Sequence, residues 1–140
     1  LDKRLKGLKW ITPHYLNNPK KELNLLIDIK KILENVKEKK IIVTDYQFFS
    51  SLIQNKFSSP NKWYDGLSIP KKESKYYDMH KEFFLNKIKN NKIKYIFFIG
   101  KQKHKMNFFL ELSSENQCII YKKKNELLIE FNLDMCENYL

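Results

Sequence analysis

Polar residues recur at Asn24, Asp28, Lys31, Asn35 and Glu38, alternately four and three apart, and mark one wet face of a helix. Leu23, Leu25, Leu26, Ile27, Ile29, Ile32, Leu33 and Val36 fill the broad arc that remains, as in a helix laid against a sheet. Asn18 is a good N-cap for it, and Pro19 brings a φ already suited to the first helical position. The pattern changes at Ile41, Ile42 and Val43. Three β-branched residues in a row, without alternation, predict a strand over 40–44 buried on both faces, as in a parallel sheet.

Phe48, Phe49, Leu52 and Ile53 return to helical spacing and predict a helix over 46–56 with Asp45 as its N-cap. Residues 57–72 carry Pro60, Gly66 and Pro70 and read as an ordered loop. A further helix is expected over 74–90, with Tyr77, His80, Phe84 and Ile88 on one side. The run KIKYIFFIG (92–100) predicts a second buried strand closed by Gly100, and residues 105–112 a short helix. CIIYKKKNELLIEFNL then reads as strands over 117–122 and 126–131 joined by a polar turn at 123–125. A short strand is also expected at Leu8–Thr12.

This order predicts one α/β domain over residues 1–140, with residues 1–9 as a basic lead-in. The expected architecture is an open, mainly parallel sheet flanked by helices, Rossmann-like without the glycine fingerprint, with an antiparallel hairpin near the C-terminus. The length suits a domain with a real core. No apolar run approaches the roughly 20 residues needed to span a bilayer. Because the chain opens on Leu1 rather than Met, it is expected to be processed or to be a piece of a longer protein.

Charge changes the picture less than its size suggests. The formal net charge is +11, yet Arg4 is the only arginine, there is no alanine, and the lysines are scattered from 3–9 to 122–124. That bias fits an AT-rich genome and a solvated lysine surface better than base readout, which relies on arginine. Cys118 and Cys136 form neither a CxxC pair nor a metal-ligand spacing, and His14, His80 and His104 lie far apart, so no metal site is expected. With only Gly7, Gly66 and Gly100, neither a phosphate-binding loop nor a dinucleotide fingerprint can be built, and no cofactor is expected.

Ligands of open α/β sheets gather beyond the carboxyl ends of parallel strands. Asp45 and Tyr46 occupy that position, where Asp45 suits a helix cap, a ligand contact or, less readily, catalysis. His80, among Tyr76, Tyr77, Phe83 and Phe84, suits a packed helix histidine more than a general base. In the loop, Trp63 and Tyr64 offer flat apolar faces beside Asn61 and Asp65, an arrangement that suits a sugar ring. The same aromatics could instead fold back as a lid over the sheet edge, with Pro60 and Pro70 stiffening the loop.

WITP near the start, IIVTDYQFF, SPNKWYDGLSIP and IKYIFF together resemble the soluble C-terminal domain of bacterial multi-spanning membrane proteins. Those proteins are related to the lipid-linked-sugar glycosyltransferases of the GT-C type. The resemblance covers residues 8–135 in layout and carries no catalytic residue to any position here, since the family's catalytic acids lie in its membrane part. It implies an extracytoplasmic accessory domain. The partners it implies are the membrane-embedded portion of the same polypeptide and a lipid-linked sugar or its acceptor, met at Asp45, Tyr46, Asn61, Trp63, Tyr64 and Asp65. It also implies a compartment where disulfides persist, and a chain turning back after Leu133 would bring Cys118 to Cys136. Lys3, Arg4, Lys6 and Lys9 depart from it, because basic residues beside a membrane helix favour the cytoplasmic side.

Two other readings stay open at this level: a free-standing basic domain that binds nucleic acid, and a small hydrolase or transferase with its site near Asp45. Diffuse lysine charge predicts weak duplex binding that is lost by about 150 mM salt. A salt titration of DNA and RNA binding checks this, and submicromolar, sequence-selective binding at that salt would establish the nucleic-acid reading instead.

Overall fold

A computed structural model describes residues 15–44, 46, 49–53, 69–101 and 103–136. The chain divides into two compact units, residues 1–37 with 48–55, and residues 38–47 with 56–140.

The first unit holds helix α1 (Pro19–Asn35) and the short helix α2 (Phe49–Leu52). Asn18 caps α1 as its spacing predicts: its side-chain oxygen accepts the Lys21 N–H at 3.1 Å, and Pro19 follows at the first position. Glu22, Leu26, Ile29 and Leu33 are buried, while Asn24, Asp28, Lys31 and Asn35 are exposed. The predicted wet face is therefore correct, but the helix stops three residues short of Glu38. Val36 is already extended, and the chain is turning towards the strand that begins at Lys40. In α2, Phe49 and Ile53 are buried one turn apart, and the Ile53 N–H donates to the Phe49 carbonyl at 3.1 Å. The rest of the helix expected over 46–56 lies outside the described residues.

Among the described residues, the second unit is an α/β layer of four strands and two α-helices. In chain order it runs β1 (Lys40–Thr44), α3 (Tyr77–Asn91), β2 (Tyr95–Ile99), α4 (Lys103–Glu115), β3 (Ile120–Lys123) and β4 (Leu128–Asn132). The strands lie in the order β1-β2-β4-β3, an open sheet. β1 pairs with β2 in parallel, Val43 opposite Phe98, whereas β2–β4 and β3–β4 are antiparallel. The expectation of a mainly parallel sheet is thus met in one pairing of three. The antiparallel hairpin extends the sheet from one edge as expected, with its second strand lying directly on β2 and its first strand outermost among the described strands. Strand burial is written in the sequence, but strand neighbours are not.

Alternation along the strands explains the packing. Ile41, Val43, Ile96, Phe98 and Phe131 join one core with Tyr77, Phe84 and Ile88 of α3 and Phe108, Phe109 and Leu112 of α4. Ile42, Phe97 and Ile99, on the opposite face, are buried as well, so both apolar runs lack polar alternation for the predicted reason. β3 is exposed along its whole length.

Local chemistry sets the element ends. Lys92, left-handed at φ 52°, closes α3, and the Ile93 N–H reaches back to the Ile88 carbonyl at 3.0 Å, which moves the start of β2 to Tyr95. Helix α4 runs past Leu112 to Glu115, where Asn116 Nδ2 donates to the Leu112 carbonyl (2.9 Å) and satisfies the helix end, while Ser113 Oγ donates to the Ile119 carbonyl (2.7 Å) and ties the following segment back to the helix. The Asn125 side chain accepts from the N–H groups of Leu127 and Leu128 (2.9 and 2.8 Å) and shapes the hairpin turn, which spans 124–127 and so begins one residue and ends two residues later than its composition suggests.

Neighbouring phenylalanines on α3 should behave oppositely. Phe84 is fully buried against Phe108 and Phe109, while Phe83 is 52% exposed. Phe84→Ala is expected to cost about 3–5 kcal/mol and Phe83→Ala within about 0.5 kcal/mol of nothing, as read by denaturant unfolding.

Candidate functional site

The carboxyl ends of β1 and β2 lie side by side, Thr44 opposite Ile99. Thr44 Oγ1 accepts the Tyr46 N–H at 2.9 Å, which turns the chain out of the strand at the predicted position. Gly100 ends β2 with φ 153°, a backbone region that favours glycine, and its N–H donates to the Leu127 carbonyl at 2.9 Å. That bond ties the end of β2 to the start of β4 and leaves only two residues before α4 begins. Of the residues assigned to a ligand site, Tyr46 is placed at this edge. Asp45, Asn61, Trp63, Tyr64 and Asp65 lie outside the described residues, as does most of the loop over 57–72. Its far end is anchored, for Ile69 is buried in the core.

At the opposite end of the hairpin, Cys118 and Cys136 are joined in a disulfide. Cys118 precedes β3, and Cys136 sits in the 3₁₀ turn Asp134–Cys136, whose first N–H donates to Asn132 Oδ1 at 2.8 Å. The bond closes an 18-residue separation and clamps the two open ends of the β3–β4 hairpin. A loop of this size contributes about 3 kcal/mol in the chain-entropy account. Beside it Tyr95 donates to Asp134 Oδ2 (3.3 Å), and Lys94 pairs with the same carboxylate (3.5 Å).

The densest polar group lies between α3 and α4. Lys72 meets Glu111 at 3.0 Å, and Lys81 meets both oxygens of Glu115 at 2.8 and 3.0 Å. The Tyr77 hydroxyl donates to Glu111; burial and then that carboxylate push its pKa up to about 12. Glu111 is held below its ordinary range chiefly by the Lys72 hydrogen bond, and Lys81 above its own by Glu115. Tyr77, Lys81 and Glu111 are thereby held in their ordinary charge states at neutral pH, which suits cross-bracing and not proton transfer. The sequence spaces Tyr77 and Lys81 four apart, and Glu111 and Glu115 four apart. Nothing in that spacing reveals that the two pairs face each other.

His80 stands beside this brace. Its ring lies 5.4 Å from that of Phe108, and its Nε2 is buried without a hydrogen-bond partner among the described residues. Burial lowers its pKa from the ordinary 6.5 and favours the neutral ring. The packed-histidine reading fits this geometry. Among the described residues no three His, Cys, Asp or Glu side chains converge as a metal site.

Because the folded chain binds the His80 proton less readily than the unfolded chain, its contribution to stability is complete above pH 6.5 and is lost as pH falls through the lower folded value. The denaturation midpoint should therefore fall between about pH 7 and 5 more steeply in the wild type than in His80→Gln. Equal slopes would mean that His80 is not held neutral by burial.

The chain matches no family model, no curated protein and no solved structure, so its functional reading rests on its own residues.

Proposed function

We propose that this chain is a non-catalytic accessory domain on the extracytoplasmic side of a membrane glycosyltransferase, where it positions a lipid-linked sugar or its acceptor. The observation that carries the reading is the Cys118–Cys136 disulfide. Such bonds persist in oxidising compartments and are rare in the cytosol. The strand edge at Thr44 and Tyr46, with the aromatic loop downstream of it in sequence, is the surface offered to the sugar. In this reading Asp45, Asn61 and Asp65, which lie outside the described residues, are the sugar's hydrogen-bonding partners, and Trp63 and Tyr64 its stacking faces.

The ion pairs favour this reading over nucleic-acid binding. Lys72, Lys81, Lys94 and Lys124 each pair with a carboxylate, Glu111, Glu115, Asp134 and Glu130, so these four are committed to contacts within the fold and not set out as a row along a phosphate backbone.

No helix among the described residues is long and apolar enough to cross a membrane, so the spans of the parent protein would lie elsewhere in the polypeptide. Two measurements test the proposal. Mass spectrometry of alkylated, unreduced protein from its native compartment should find neither cysteine modified; two modified thiols would remove the support for an outside location. Trp63→Ala in the full-length protein should impair sugar transfer well beyond any loss of domain stability. If activity instead falls only as the domain unfolds, with the cost of about 3–5 kcal/mol expected of a buried tryptophan, Trp63 is core and the sugar contact is lost.

A further inference from the structure

Six large hydrophobic side chains among the described residues are conspicuously exposed, and three of them lie on α3 or at its cap: Tyr76 (54%), Met79 (65%) and Phe83 (52%). Their spacing of three and four places them in one stripe along the helix. The stripe lies away from Tyr77, Phe84 and Ile88, which α3 buries in the core. The helix therefore has two apolar surfaces, one used by the fold and one left outside it.

Lysines attend the outer stripe in a particular way. Lys75 Nζ sits over the Tyr76 ring, 5.0 Å from its centroid, and Lys87 Nζ over the Phe83 ring at 5.7 Å. Each ammonium therefore lies against the face of an aromatic ring at the margin of the stripe, a cation–π contact that sets positive charge beside the apolar side chains. Tyrosine, methionine and phenylalanine supply the matching apolar wedge, and tyrosine is at home at the headgroup level.

We propose that the outer face of α3 rests on an anionic bilayer surface, with Tyr76, Met79 and Phe83 entering the headgroup–acyl boundary and Lys75 and Lys87 meeting lipid phosphates. Charge complementarity favours this occupant: the chain carries a net charge of +11, almost all of it lysine. Shape favours it too. Three side chains on a convex helix fall far short of the roughly 800 Å² per partner that a specific protein interface buries, whereas a bilayer accepts a narrow wedge. Asp78 and Glu82 are exposed farther round the helix, on the flank shared with Lys89, and limit the contact to the stripe and its lysines. The inference stands on this face alone and does not require the glycosyltransferase reading.

The test is co-sedimentation of the 140-residue chain with lipid vesicles at low salt, made of phosphatidylcholine alone or with about one-third phosphatidylglycerol. The wild type should partition onto the anionic vesicles and little onto the neutral ones. The double variant Met79→Glu with Phe83→Glu should lose at least about tenfold in partitioning, and Lys75→Gln with Lys87→Gln should bind the anionic vesicles more weakly. Circular dichroism melts control for folding. If the glutamates unfold the chain, Met79→Gln with Phe83→Gln serves in their place. Three results would overturn the proposal: no binding to anionic vesicles, equal binding by wild type and stripe variants (diffuse lysine adsorption), or stripe-dependent self-association without lipid. Transfer activity and thiol state enter none of these outcomes, so the two proposals fail separately.

Discussion

Phe109 is the point on which the α/β unit depends. Its ring meets Phe84 of α3 at 5.6 Å, Phe98 of β2 at 6.3 Å, Phe131 of β4 at 5.8 Å and its neighbour Phe108 at 5.2 Å. One side chain of α4 thus touches α3 and both central strands. Several of these contacts are edge-to-face or tilted, the geometries that the ring quadrupole favours over a direct sandwich. A close-packed cluster of this kind fixes distances between elements far apart in sequence, and the polar features can be exact only because it does.

The brace between α3 and α4 illustrates that dependence. Glu111 and Glu115 lie one and two turns beyond Phe108 on α4, so the aromatic contact that seats α4 also brings those carboxylates to Tyr77, Lys72 and Lys81. Exposed ion pairs contribute little by themselves. Here they select an orientation that apolar packing has already made available, and the Tyr77 hydroxyl, mostly buried, finds an acceptor it would otherwise lack. His80 shows the converse. The same packing buries its Nε2 where no described group can reach it, and the ring stays neutral as a result.

Much of the fold was legible because it rests on local rules. The Asn18–Pro19 start, the wet face of α1, the two apolar strands and the C-terminal hairpin all follow from side-chain period, capping and turn chemistry. Element ends shifted where a side chain supplied a cap that composition hides, as Asn116 does for α4 and Asn125 for the hairpin. Strand order was not legible. Ile129 and Phe131 can pack against the helices from either edge of a sheet, and only the three-dimensional fit places β4 on β2. Of the candidate site, the strand edge at Tyr46 and the meeting of the two cysteines belong to the described residues. The brace went unseen because its partners are separated by more than thirty positions.

Two exposed surfaces then divide according to how they treat water. β3 lies at the sheet edge, where unpaired N–H and C=O groups invite another strand, and its Lys122 and Lys123 place charge along that edge. Lysine is the residue that blunts an edge of this kind, because a pairing strand would have to bring its backbone alongside the charges. On α3 the lysines do something different: they lie over rings and leave the stripe between them uncovered. The same residue type thus guards one surface and frames the other. What separates the two cases is geometry, since an edge strand recruits partners through its backbone and a helix, its backbone already bonded, can do so only through side chains.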